Sequence, residues 1–378
     1  MKLVTFLTSS NEQHIGALGS NETLIVDFTK TDPAPHFRDM LSLIDGGPKA
    51  LDHARALRES AKAVVLPAAE QRLLAPVPEP RQMRDCLCFE KHLKQASASM
   101  RMRENPGTTF DPETMTLPAV WYKQPIYYKG NRFSVIGPEA DVQWPSYSQL
   151  LDYEMEFCIF TGKGGKNIKP EAAREHIFGY SIFNDISARD ARSVEMAGLL
   201  GPAKGKDFDT GNVIGPWLVT ADEIPDPYNL TMTVRVNGKE RSRGNSGEMH
   251  HKFEDILAHV SRDETIRAGE FFGSGTVGSG CALEIGGFLQ PGDLCRTGSD
   301  RAGRAAQQDR CTRSELDVRD NLNSEPARKR HDSILCGEVG RHLRSRRWNH
   351  LRVVGRGNKN KARIFRGSGI LERVCCCG

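Results

Sequence analysis

Leu151-Asp152-Tyr153-Glu154-Met155-Glu156-Phe157 alternates acidic with apolar and aromatic residues along its whole length. As a strand it turns Asp152, Glu154 and Glu156 to one face, and that face continues as Cys158 and Phe160. The acids therefore sit on a strand that runs into a core. Carboxylates crowded in such a place repel one another and lose hydration, a cost usually met by a cation. Oxygen-only ligands select a hard ion: Mg2+, Mn2+ or Ca2+. An isolated Glu-x-Glu more often marks a half-exposed strand with one charged side. The reading gains weight from Asp185, a third acid in Phe183-Asn184-Asp185-Ile186-Ser187-Ala188-Arg189-Asp190.

Outward from this strand, the chain reads as a strand-rich α+β protein. In 378 residues there is room for one large or two ordinary domains. Residues 1–75 read as a small N-terminal β-rich domain. Its strands are expected at Leu3–Phe6, His14–Leu18 and Thr23–Phe28, with a helix around Asp52–Lys62. Pro76, Pro78 and Pro80 make 76–80 a stiff connector. Residues 81–294 form the main body, with strands at Phe133–Ile136, Glu156–Phe160, Trp217–Thr220 and Leu230–Asn237. Asn237-Gly238 signals a tight hairpin, and helices are expected at Pro170–His176 and Phe253–Val260.

The net charge of +4 is unevenly spread. From Cys295 to Gly378, 20 Lys and Arg face 9 Asp and Glu, so the rest of the chain carries −7. Residues 295–378 thus read as a basic tail without hydrophobic periodicity. One reading is a disordered nucleic-acid-binding arm, but Trp348 and Phe365 stand alone, without an aromatic platform, and nucleic acid is not the expected partner. Another reading is a frameshift. A permissible codon set for Cys295–Arg310, shifted by one base, yields Val-Glu-Leu-Glu-Val-Thr-Gly-Leu-Gly-Val-Leu-Arg-Asn-Arg-Ile-Val, which alternates like a half-buried strand. Cys86, Cys88, Cys158 and Cys281 follow no secreted-disulfide pattern and read as buried or free thiols. No apolar run approaches a membrane span, and Met1–Phe6 lacks a signal-peptide stretch, so a cytoplasmic protein is expected.

The acids have partners elsewhere in the body. Asp85 precedes Cys86-Leu87-Cys88-Phe89-Glu90-Lys91-His92, and Arg101 follows. Further on come Gly205-Lys206-Asp207-Phe208-Asp209, Gly215-Pro216-Trp217, Gly273-Ser274-Gly275-Thr276 and Leu283-Glu284. In this order, with the two acidic motifs, they resemble the fumarylacetoacetate hydrolase family over about residues 80–294. The spacer Leu117–Lys123 resembles the longer, fumarylacetoacetase-like members.

The resemblance implies a mixed β-roll catalytic domain and a divalent cation held by Glu154, Glu156, Asp185 and Asp85. It implies His92 as the base that activates water, paired with an acid that fixes its tautomer. In short members that acid follows by three residues, where this chain has Gln95; the longer members imply Glu284 instead. Lys206 would stabilise a departing enolate, and Arg101, Tyr122, Arg192 and Thr276 would contact substrate. Arg101, within Met100-Arg101-Met102-Arg103, fits an amphipathic surface helix equally well. Arg192 stands where fumarylacetoacetase carries glutamine, and Met196 where it carries tyrosine, so the acyl side of the substrate is expected to differ. His250 and His251 read as loop residues.

The function expected on these grounds is metal-dependent hydrolysis of a C–C bond in a small β-diketo or acylpyruvate-type acid, in aromatic catabolism, by a homodimer. A 2-oxo acid isomerase, hydratase or decarboxylase uses the same parts, and a non-catalytic basic-tailed binding protein is the reading from outside the enzyme class.

Overall fold

The computed structural model describes residues 1–299 and 303–312, the stretch 303–310 as backbone. Most of the expected tail, 313–378, lies outside the described residues. Two sheets organise the rest. The larger is built on β1 (Lys2–Leu7), β2 (Gln13–Leu18), β3 (Leu24–Asp27), β4 (Val64–Pro67), β5 (Met83–Cys86), β6 (Tyr127–Lys129), β7 (Met155–Thr161), β8 (Ile177–Asp185), β9 (Asn212–Thr220) and, beyond the second sheet's hairpin in sequence, Phe271–Gly273. Its order is β4-β3-β2-β1-β9-β8-β7, then Phe271–Gly273, then β5-β6.

β7 is buried along its whole length, and its parity splits the core. Met155, Phe157 and Ile159 enter one apolar cluster, while Cys158 and Phe160 enter a second on the opposite face. Glu154 and Glu156 share the parity of Cys158, at the end where that second cluster gives way to polar groups. β7 pairs antiparallel with β8, Met155 opposite Asn184, and with Phe271–Gly273, Cys158 opposite Gly273. Gly273 in turn lies parallel to Asp85 of β5, and Asp85 faces Tyr128 of β6. One end of neighbouring strands thus carries acids from three distant places in sequence.

The N-terminal strands are not separate from this sheet. Lys2 and Leu3 pair with Val219 and Leu218 of β9, so the expected small domain and the body share a continuous ladder. The reason is in β1 itself: Leu3, Val4, Thr5 and Phe6 are all buried, which requires a neighbour on both edges and cover on both faces. Helix α1 (Gly47–Arg58) begins earlier than the expected Asp52. The Gly46-Gly47 pair reads as a turn, yet Pro48 sits in the first helical turn, where its missing N–H costs nothing.

The second sheet holds the Asn237-Gly238 hairpin, β10 (Thr231–Val236) and β11 (Lys239–Asn245). Asn237 and Gly238 have φ of 51° and 79°, the left-handed values such a turn needs. Beyond residue 294 the structure departs from the expected boundary. β12 (Leu294–Ser299) pairs with β10, and β13 (Gly303–Thr312) pairs with β12 and with Asp141–Gln143. Cys295, Thr297, Gly298 and Ser299 are buried and Arg296 is exposed, so the strand is buried through small residues. The backbone ladder does not require large apolar residues, which is why composition hid these strands. No helix among the described residues is long and apolar enough to cross a membrane.

Candidate active site

Oxygens of Asp85, Glu156 and Asp185 lie within 4.8 Å of one another, and all three residues are buried. Backbone and hydroxyl donors orient two of them. Gly275 N donates to Glu156 Oε2 at 3.0 Å and to Asp85 Oδ1 at 3.3 Å, and Thr276 Oγ1 donates to Glu156 Oε1 at 3.3 Å. Tyr128 donates to Asp185 Oδ2 at 2.9 Å. Asp185 Oδ1 is buried with no hydrogen-bond partner.

Lys206 supplies the cation nearest this cluster. Its Nζ lies 2.5 Å from Glu154 Oε2 and also donates to Asp185 Oδ2. Burial opposes the ammonium charge, but Asp185 and Glu154 outweigh it and hold Lys206 above its ordinary value. It is a fixed cation and donor, not a base. Glu154 is doubly served: Arg189 Nη2 lies 2.7 Å from its Oε1. Burial again works against the charge, yet Arg189 and Lys206 hold the Glu154 carboxyl well below the usual range. Arg189 also reaches Asp152 Oδ2 at 2.7 Å, and Asp152 accepts from the N–H groups of Ala282 and Leu283. Asp152 is thus a structural tie from the acidic strand to the segment bearing Glu284.

Asp85 and Glu156 have no such cation. Burial, then the charge of Asp185, pushes the Asp85 carboxyl up to about 7. Burial, then Asp85, pushes Glu156 well above the usual range. An oxygen-only set, an orphaned carboxylate oxygen and two acids that resist ionising together are what a divalent cation would resolve. The residues fit such an ion.

Gly273 makes room for the cluster. A Cβ there would stand 2.3 Å from Asp85 Oδ1 and 3.2 Å from Glu156 Oε2. Gly273→Ala is therefore expected to keep the strand but push the Asp85 carboxylate aside. Calorimetric titration with Mn2+ should show affinity falling at least about tenfold, and unchanged affinity would dissociate Gly273 from the site.

The raised acids also set a pH dependence. In the unfolded chain Asp85 and Glu156 ionise near pH 4, whereas in the metal-free fold burial and neighbouring carboxylates push Asp85 up to about 7 and hold Glu156 well above its ordinary range. Across that window the fold binds more protons than the unfolded chain, so metal-free stability falls as pH rises. Glu154, with a lowered value, is ionised in the fold throughout it and opposes this slope only near the bottom of the window, where the unfolded glutamate still holds its proton. Melting scans should show a larger Mn2+-induced gain in Tm at pH 8 than at pH 5; an equal or smaller gain at pH 8 would contradict the cluster.

A second constellation adjoins the first. Helix α2 (Glu90–Glu104) carries His92 on its first turn, buried, with Nδ1 3.2 Å from Glu284 Oε1. Glu284 lies in the short helix α4 (Ala282–Ile285), which follows α3 (Phe253–Val260) in the chain. Its carboxylate accepts from Ser279 N at 3.0 Å and Cys281 N at 2.8 Å. Gln95, at the short-member acid position, instead exchanges hydrogen bonds with Ser279. Cys281, three residues before Glu284, bridges through its backbone to Glu154, so the two constellations are connected.

A cavity of about 120 Å³ opens onto the acids, lined by Asp85, Glu154, Glu156, Lys206, Arg192 and Thr276 among others. Arg192 Nε is buried without a hydrogen-bond partner. Two expected substrate contacts lie elsewhere. Arg101 is exposed in the last turn of α2, nine residues and about 13 Å along the helix from His92. Tyr122 is exposed, donates to Glu90 Oε1 at 2.8 Å and packs against Trp121 and His250. Neither lines the cavity. His251 is tied to the Trp121 carbonyl.

Sequence reasoning did not nominate Tyr128, Arg189 or Gly273. Arg189 had a signal, since a buried face with Asp152 and Glu154 requires a guanidinium or its equivalent. Tyr128 had none, because its place opposite Asp85 is set by strand pairing.

Residues 83–308 match the family model for the fumarylacetoacetate (FAA) hydrolase C-terminal region. The chain is 32% identical over 307 residues to a mitochondrial oxaloacetate tautomerase of Xenopus laevis, spanning 80% of this chain and 88% of that one. It is 31% identical over 278 residues to an oxaloacetate tautomerase of Bacillus subtilis, spanning 71% and 85%. Among solved structures it is similar to a fumarylacetoacetate hydrolase from psychrophilic Exiguobacterium antarcticum. That match has a TM-score of 0.63 and 27% identity, and covers 83% of this chain and 100% of that one.

Proposed function

The chain belongs to the fumarylacetoacetate hydrolase family, and from that premise we propose that it is a divalent-metal-dependent enzyme catalysing keto–enol proton transfer in a 2-oxo dicarboxylic acid of the oxaloacetate type. The observation that carries this is a buried oxygen-only carboxylate cluster in contact with a fixed ammonium group, joined through the Glu154–Cys281 backbone bridge to a second group that holds a buried imidazole.

Asp85, Glu156 and Asp185, with Glu154 as fourth, are the proposed metal ligands. Mg2+ or Mn2+, or less strictly Ca2+, would polarise the 2-oxo group of a chelating substrate. His92 removes the proton from the carbon beside the carbonyl, and Glu284 steadies the imidazolium that results. Lys206, held protonated by its neighbours, donates to the oxygen on which charge grows. Return of the proton to that oxygen gives the enol, and the reverse sequence gives the ketone. Arg192 is the guanidinium left over for a second carboxylate.

Two measurements test this reading. The purified chain should speed the decay of enol-oxaloacetate absorbance in the presence of Mg2+ or Mn2+ and lose that effect in excess chelator. Arg192→Gln should raise KM for oxaloacetate about 10-fold or more, the worth of a charged hydrogen bond, while hardly changing KM for a 2-oxo acid with one carboxylate. Equal effects on both would remove Arg192 from the specificity site.

Hydrolysis of a C–C bond in an acylpyruvate-type acid is the second reading. The His92–Glu284 pair favours it, since a carboxylate-backed imidazole is suited to taking a proton from water. Release of pyruvate from an acylpyruvate at a rate exceeding oxaloacetate tautomerisation would decide for it. Aromatic catabolism as the setting belongs to this second reading. A homodimer located in the cytoplasm is part of the proposal, and sedimentation of the full chain tests the assembly.

A further inference from the structure

The Asp85, Glu156 and Asp185 cluster offers only oxygen. Next to it stands a cluster of different chemistry. A ring nitrogen of His92, Cys281 Sγ and a carboxylate oxygen of Glu284 lie within 4.8 Å of one another. His92 and Cys281 are buried, and the Glu284 side chain is wholly so. His92 Nδ1 makes no hydrogen bond, although Glu284 Oε1 is only 3.2 Å away and off the line a hydrogen bond needs. A buried imidazole nitrogen without a hydrogen-bond partner thus faces a carboxylate beside a thiol.

These donors are held in place before any ion arrives. Two backbone N–H groups fix the Glu284 carboxylate. Cys281 caps α4 and bridges to Glu154 through its backbone. His92 is set by the first turn of α2. Imidazole, thiolate and one carboxylate suit a borderline-soft ion that accepts four ligands, and they suit Mg2+ or Ca2+ poorly. The third ligand type is what separates the two clusters, because sulfur is absent from the first.

We propose that His92, Cys281 and Glu284 form an inhibitory site for a thiophilic divalent ion of the Zn2+ class, distinct from the oxygen-only site. Binding releases the thiol proton to solvent and forms bonds to the Cys281 thiolate, a His92 nitrogen and a Glu284 oxygen, with water in the fourth position. An imidazole coordinated through one nitrogen carries its remaining proton on the other. It then has no lone pair with which to take a proton from substrate. Burial, and then Glu284, raises the Cys281 thiol well above its ordinary value, so the free thiol is protonated and unreactive until such an ion displaces its proton.

The inhibition rests on reading His92 as the base; the binding does not, and the test separates them. Binding is read with Co2+ as the probe, at saturating Mg2+. The full chain is used with Cys336, Cys375, Cys376 and Cys377 changed to serine, so that those thiols do not contribute. A thiolate-to-cobalt absorption band is expected, and it should vanish on adding Cys281→Ser. Inhibition is read by titrating Zn2+ into the assay at saturating Mg2+. The half-inhibiting concentration should rise at least about tenfold in Cys281→Ser, each rate taken relative to that variant's own uninhibited value. If serine at 281 prevents folding, Cys281→Ala replaces it in both arms. An identical cobalt band with and without Cys281 would overturn the site. A band that vanishes while zinc inhibition stays unshifted would overturn the inhibitory role.

Discussion

Glu156→Ala is expected to lower turnover by about 10²–10³-fold and to reduce bound Mn2+ from one ion per chain to less than a tenth of one at concentrations that saturate the unchanged protein. Glu156 sits at the centre of the acid cluster, between Asp85 and the donors Gly275 N and Thr276 Oγ1. A second readout separates a ligand from a structural residue. Burial and Asp85 hold the Glu156 carboxyl well above its ordinary range, so in the metal-free protein its ionisation works against the fold. Glu156→Gln should therefore abolish ion binding and yet raise the metal-free Tm at pH 8. A buried acid serving only the fold would do the reverse: its loss would lower Tm and leave the ion bound.

His92→Ala is expected to reduce kcat by about 10²–10⁴-fold, the usual span for removing a positioned general base. KM and Mn2+ affinity should change by no more than about threefold, because the imidazole lies outside the oxygen cluster. Ser279 N and Cys281 N bond to different oxygens of Glu284, so Glu284→Gln keeps only one of these backbone hydrogen bonds and removes the charge facing His92 Nδ1. Its kcat should fall about tenfold or more, less than in His92→Ala. Nearly full turnover in His92→Ala would exclude this residue as the base, whatever the ion does.

How far the sequence reached can be judged on particular residues. The parity of Glu156 with Cys158 and Phe160 is a local property of one strand, and the alternating pattern carries it; Glu154 stands just before that strand, in an isolated bridge to Cys281. Only through the family resemblance, which places an acid ahead of His92, is Asp85 a candidate. Its real neighbour, Gly273, is almost two hundred residues away and adjacent through a parallel strand pair that no local pattern encodes. Tyr128 is hidden for the same reason. The expected helix at Phe253–Val260 and the Asn237-Gly238 hairpin follow from short-range chemistry and lie where the pattern puts them.

Other expected residues lie apart from the cavity or beyond the expected boundary for reasons of reach or composition. Arg101 and Tyr122 were nominated by likeness to family positions, but one sits too far along α2 and the other is turned to solvent against Trp121 and His250. From 295 to 299, Cys295, Thr297, Gly298 and Ser299 are small and buried beside the exposed Arg296, and their strand extends the second sheet past the expected boundary. The match to the family model through residue 308 runs past the same expected boundary.

Lys206 shows why the chemistry needs the structure. A lysine in Gly205-Lys206-Asp207-Phe208-Asp209 can be a base, a cation or a solvated surface charge. Its contacts with Glu154 and Asp185 hold it protonated, which leaves His92 to accept the proton in the proposed reaction.

Anomalous diffraction from crystals of the full chain grown with Mn2+ addresses the central claim most directly. One peak is expected among the oxygens of Asp85, Glu156 and Asp185. A peak at any other set of residues, or these three carboxylates left without an ion at saturating Mn2+, would contradict it.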